Sequence, residues 1–143
     1  MVNKLKRLGQ RILAYWSYFS YGLFTLVGGL YVFDHLNYLD DPRVTTPPPP
    51  AMWERTSFGF ADDWWFASLL VLAGIILLIG VLLDKRLFRN VGLIMIAPLY
   101  GSLAFAFIVR GFFAFRFNLT WLFACLALAL LFGTAMKGGW HDD

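Results

Sequence analysis

The chain is poor in almost everything a soluble enzyme uses. Its single cysteine, Cys125, excludes an intramolecular disulfide and any cysteine-based zinc site. Charged residues fill 15% of the 143 positions, where a soluble domain carries about a quarter. The long apolar stretches hold no Asp, Glu, Lys, Arg or His in their interiors. Ionisable groups inside a bilayer are expensive and mark ion or proton pathways, so their absence argues against a proton-coupled transporter or a pump. It leaves open a channel lined by backbone or small side chains. Only one stretch is interrupted, by Pro98, so the paired half-helices that build transporter sites are missing. No G-x-S-x-G or other nucleophile pattern accompanies the two histidines, His35 and His141. Gly28-Gly29 and Gly138-Gly139 lack the strand and lysine of a phosphate-binding loop. The doublets Asp40-Asp41 and Asp62-Asp63 lack calcium-loop spacing and read as solvated caps and turns. The chain is therefore read as non-enzymatic, with no cofactor and no metal.

What it does have is hydrocarbon. Hydrophobic residues make up 59% of the sequence, and the mean hydropathy is +0.65. The stretch from Trp64 to Leu83 carries no charge and no proline. As a helix it is roughly 30 Å long, the thickness of a bilayer core. Further stretches at 12–33, 91–109 and 119–136 read the same way. The expected fold is an all-α membrane protein, a single domain of four transmembrane helices in an antiparallel bundle. Short connections at 84–90 and 110–118 make sequence neighbours antiparallel neighbours in space.

The pI near 9.2 reflects basic residues spread over the segment ends rather than a stripe, which points to a lipid bilayer and not to nucleic acid. The start, MVNKLKRLGQR, is basic and precedes an apolar run of about 20 residues, longer than a signal peptide's usual core. It also lacks a small-x-small cleavage site, so an uncleaved first span is expected. Its Tyr15, Trp16, Tyr18, Phe19 and Tyr21 suit an aromatic belt at headgroup level. Asp62 or Asp63 can cap the second span, Asn90 the third, and Pro98 should bend the third. Residues 34–63 form an acidic outer loop with a stiff proline run, Pro47 to Pro50.

Two groups of residues stand out. Cys125, Ala129 and Gly133 are spaced four apart, as are Ala97 with Gly101 and Ser102 with Ala106. Such small-residue ridges let helix backbones approach closely in lipid. They pack either inside the monomer or between copies in a homo-oligomer. Asp34 and His35 close the first span, while Arg110 and Arg116 flank the turn on the same side. These four can form ion pairs at the outer mouth of the bundle.

In its size, basic start, close apolar spans and lack of a soluble domain, the chain resembles the small multi-span membrane proteins of bacteriophages, including the holin-like ones. The resemblance implies accumulation in the cytoplasmic membrane and assembly into a permeability lesion. Holins mostly have fewer spans, and many end in a basic tail, whereas this chain ends WHDD. The alternative is an accessory membrane subunit that docks a protein partner through loop 34–63, where prolines and aromatics suit recognition.

Orientation follows from lysine and arginine. Four spans place Lys4, Lys6, Arg7, Arg11, Lys85, Arg86, Arg89 and Lys137 on one side, against Arg43, Arg55, Arg110 and Arg116 on the other. The excess puts both termini in the cytoplasm. A reporter fused after Asp143 should be active as a cytoplasmic fluorescent protein and silent as a periplasmic phosphatase; the opposite pair of signals would reverse the topology.

Overall fold

The computed structural model describes residues 2–36, 60–61, 63–113 and 119–140, with side chains over 6–36, 60–61, 63–109 and 119–137. All regular structure among the described residues is helical: α1 (Val2–Ala14), α2 (Trp16–Asp34), α3 (Trp64–Leu82), α4 (Arg86–Phe113) and α5 (Thr120–Trp140). Three of these are long and apolar enough to cross a membrane. They are α3, Arg86–Val109 of α4 and Thr120–Lys137 of α5, with mean hydropathies of 2.7, 2.1 and 1.6. Helix α2 matches α3 in length, 19 residues each, but its tyrosines, serines and glycines make it less apolar, and it is not one of the three.

The stretch expected as one span over 12–33 divides between two helices. The backbone breaks at Tyr15, with φ −112° and ψ 36°. The Tyr15 N–H still donates to Arg11 O at 2.9 Å and Phe19 N–H to Tyr15 O at 2.9 Å, so the chain kinks rather than turns away. Helix α1 is amphipathic. Leu8 and Ile12, four apart, are half-buried on one face, while Lys6 and Arg7 are exposed away from it.

Helices α2 and α3 meet backbone to backbone. The buried residues of α2 are Gly22, Thr25 and Gly29, with no large apolar side chain among them. A Cβ on Gly29 would lie 2.8 Å from Val71 N and 3.0 Å from Ala67 O. A Cβ on Gly74 would lie 2.7 Å from Leu26 N and 2.9 Å from Gly22 O. Rising numbers on α2 meet falling numbers on α3, so the pair is antiparallel. In lipid the hydrophobic effect does not drive helices together, and close approach of backbones takes its place. Helix α4 packs on the other side of α3, where Leu77 fills the space a Gly92 side chain would occupy, with Leu77 Cβ 2.9 Å from that position. The apolar core gathers Phe66, Leu70 and Leu77 of α3, Ile96 and Leu99 of α4, and Leu131 of α5. Of the three spans α3 is the central one, 44% buried against 11% for α5.

Two local expectations change. Helix α4 begins at Arg86, so Asn90 lies inside it and caps nothing. The turn closes over Leu83–Lys85 instead. Lys85 N–H donates to Gly80 O at 2.9 Å and Asp84 N–H to Val81 O at 3.3 Å, with Asp84 at φ 53°. This is the Schellman ending of a helix, with aspartate in the left-handed place glycine usually takes. Asp63 does occupy the cap position of α3, but its carboxylate makes no cap bond; Oδ2 accepts from Trp65 Nε1 at 2.8 Å. Helix α4 continues through Pro98.

A side chain at Gly74 meets backbone, which cannot move aside. Gly74→Val should therefore separate α2 from α3 and cost about 1–3 kcal/mol. Gly101, where a Cβ meets nothing within 4 Å, should accept alanine without loss. The midpoint of SDS-induced unfolding in mild detergent, followed by circular dichroism, compares the two variants.

Candidate functional site

One end of the molecule is knotted together by arginine. Arg89, in the first turns of α4, donates through Nη1 to Asp84 Oδ1 at 2.8 Å. Its guanidinium carbon also lies 3.9 Å from the centre of the Tyr15 ring, a cation–π contact. Arg11 Nη1 donates to Leu82 O at 3.0 Å, satisfying a carbonyl that the end of α3 leaves free. These contacts fasten the kink between α1 and α2 to the turn between α3 and α4. The turn itself depends on Gly80, where a Cβ would lie 2.6 Å from Arg89 N. The Arg89 hydrogen bond, helped by the Tyr15 hydroxyl and the Arg11 charge, holds the Asp84 carboxyl below its ordinary range, and burial opposes the shift.

From this end a groove runs up the molecule between α2 and α5. These helices meet at few positions and leave a cavity of about 560 Å³. Trp16, Ser17, Ser20 and Phe24 line one wall, with Ala129, Gly133 and Lys137 on the other and Tyr21 and Tyr100 deeper in. Tyrosine hydroxyls bridge the two helices. Tyr21 Oη donates to Ala127 O at 2.8 Å and Tyr18 Oη to Thr134 O at 3.4 Å. Beneath them the hydroxyls of Thr25 and Tyr100 lie 3.1 Å apart, and the Tyr21 and Tyr100 rings meet edge to face at 6.1 Å. The aromatics expected as a simple headgroup belt thus divide. Trp16 is 59% exposed, whereas Tyr18 and Tyr21 turn inward.

The small residues singled out in the sequence have different surroundings. Ala106 is fully buried, and Ala97 packs against the core. Ser102 Oγ donates to Leu99 O of its own helix at 2.8 Å. Gly101 and Gly133 each face open space, Ala129 is exposed and Cys125 is half-buried. Among the glycines, close helix contacts fall at Gly22, Gly29, Gly74, Gly80 and Gly92. The seven-residue interval from Gly22 to Gly29, with Thr25 between, was the available signal.

At the other end, His35 Nδ1 sits 3.0 Å from Tyr31 O and 3.7 Å from Asp34 Oδ2, and its ring stacks on Tyr31 at 4.3 Å. The Arg110 side chain and all of Arg116 lie outside the described residues, as does the loop over 37–59 with Pro47 to Pro50. Where the loop returns, Phe60 packs edge to face on Phe66 at 5.2 Å. Among the described residues no three His, Cys, Asp or Glu side chains converge. Comparison with protein-family models, with curated proteins and with solved structures finds no match.

The Asp84–Arg89 pair makes stability depend on pH. Asp84 titrates lower in the folded chain than its ordinary value of 3.8. Its contribution is therefore fully present above about pH 4 and is lost as pH falls through the folded value. The Asp84 side chain is 41% exposed, so screening limits the pair to roughly 0.5–1 kcal/mol. Asp84→Asn keeps a residue that tolerates positive φ and removes the charge. It should be less stable than the native chain at pH 7 and equal to it near pH 2, measured by unfolding in detergent.

Proposed function

We propose that this chain is a four-span integral protein of the cytoplasmic membrane that acts without catalysis, by assembling with copies of itself through α5. Helix α2 is the fourth span. It lies against α3 from Gly22 to Gly29, so it cannot leave the hydrocarbon while α3 crosses it. Its outward side chains, Leu23, Phe24, Val27 and Leu30, are apolar. Four spans bring α1, the Asp84 turn and the end of α5 to one side. The lysines and arginines gathered there make that side cytoplasmic. Helix α1 then rests in the headgroup layer with its basic face in water.

The observation that carries the assembly reading is the bareness of α5. Only 11% of its span is buried by the rest of the chain. Trp121, Phe132 and Met136 recur at helical spacing along it, none of them lines the groove, and they are 38, 58 and 65% exposed. An apolar face left uncovered in the monomer, away from the groove, suits the same helix of a second copy. Assembly of this kind, in a chain resembling the holin-like proteins, would open the membrane.

The sole cysteine makes the test direct. In a Cys125→Ala background, Phe132→Cys should give an oxidative dimer in native membranes, whereas Val27→Cys on the outward face of α2 should not. Expression in bacteria should collapse the membrane potential, and Phe132→Ala should abolish both the dimer and the collapse. Harmless accumulation without a cross-link would overturn the proposal in favour of an accessory subunit docking through loop 34–63.

A further inference from the structure

We infer that the groove between α2 and α5 binds one anionic phospholipid, its phosphate at Lys137 and Ser17 and an acyl chain running inward to Phe24. The inference rests on the membrane placement proposed above and not on self-assembly.

Polarity along the groove has a single direction. Trp16, Ser17 and Lys137 stand at the basic end. Ser20 and Gly133 follow, then Leu130, and finally Phe24 and Ala127. Trp16 to Phe24 spans about 12 Å of helix, so the lining passes from charged to hydrocarbon over the depth at which a phospholipid does the same. A volume of about 560 Å³ falls in the range that pockets use for small ligands. The groove is also open sideways to lipid, since Phe24 and Leu130 on its two walls are 71% and 58% exposed. A chain can enter from the bilayer without passing through water.

Charge selects the headgroup. Arg11, Arg86 and Arg89 share this end of the molecule with Lys137. Among the described residues the acid at this end is Asp84, which Arg89 already engages. The net field there is positive, and each lysine or arginine near a surface favours an anionic lipid by severalfold. The groove is unsuited to a second protein helix. Tyr18 and Tyr21 tie α2 to α5 by hydroxyl-to-carbonyl bonds of 3.4 and 2.8 Å. Helix pairs need axes about 8–10 Å apart, which those ties do not leave for a third helix between them. An acyl chain is thin enough to lie above the ties.

The test is native mass spectrometry of the full chain released from detergent micelles. The probes are palmitoyl-oleoyl phosphatidylglycerol and palmitoyl-oleoyl phosphatidylcholine at equal concentration. One phosphatidylglycerol should be retained per chain, about tenfold more readily than phosphatidylcholine. Lys137→Glu should remove that preference, lowering phosphatidylglycerol retention roughly tenfold while leaving phosphatidylcholine unchanged. Ser20→Phe, which fills the groove, should abolish retention of both. Glycerol phosphate alone should not compete. Unchanged helical content by circular dichroism checks that both variants fold. Equal retention of the two lipids, or variants that retain phosphatidylglycerol like the native chain, would overturn the inference. So would a dimer that Ser20→Phe dissociates, because the groove would then hold a second copy. Carbonate extraction of membranes checks the underlying placement separately: a protein stripped by carbonate fails that reading whatever lipid it retains.

Discussion

The arrangement of this molecule hangs on the distance at which α2 lies against α3. Gly22, Gly29 and Gly74 bring the two backbones so near that any side chain at Gly74 would strike main-chain atoms. Dispersion between closely packed atoms, not exclusion of water, is what such contact supplies in lipid. With α2 drawn in this tightly, its remaining inward side chains must be long to reach anything beyond α3. Tyr18 and Tyr21 are long enough, and their hydroxyls find the carbonyls of α5. The groove is the remainder of the same geometry: two helices spanned by tyrosines stand apart by about a side chain.

A second constraint governs the basic end. Helix α3 reverses into α4 within three residues, and the reversal needs a residue at positive φ. Aspartate there is less comfortable than glycine, but it contributes a carboxylate that glycine lacks. Arg89 takes that carboxylate with its edge and covers Tyr15 with its face. The turn between two apolar helices and the kink ahead of α2 are thereby coupled through one guanidinium. A lysine could not do both, since it has neither the fork nor the plane.

Much of the fold was legible because its apolar stretches leave few alternatives to a helix. Long uncharged stretches predict helices, and α3 ends within one residue of the expected boundary at Leu83. The start of α4 was missed because a seven-residue basic stretch reads as a loop, while the hydrogen bonds that close a turn at Asp84 leave no compositional trace. The candidate site was less legible. A small residue announces that close approach is allowed, not that it occurs. Gly101 and Gly22 look alike in sequence, yet one faces open space and the other a neighbouring helix. Which is which depends on the partner's face, and that is set by the packing of all the helices at once. The tyrosines misled for a related reason. At the end of a span an aromatic ring with a hydroxyl suits the headgroup layer, and only a carbonyl across the bundle gives it a better place.

That same point bears on why α2 falls short as a span by apolarity alone. Hydropathy charges each hydroxyl for losing water, as if nothing replaced it. In α2 the replacements exist: Tyr18 and Tyr21 bond to α5, and Thr25 lies within hydrogen-bond distance of Tyr100. A polar group satisfied inside a bundle avoids most of the penalty of entering hydrocarbon. The exposed side chains along its middle, from Leu23 to Leu30, are the ones that would meet lipid, and those are leucine, phenylalanine and valine. As the proposed fourth span, α2 would therefore be better suited to the bilayer by the surface along its middle than by its whole composition. Its polar residues are the means by which a less apolar helix is held among more apolar ones.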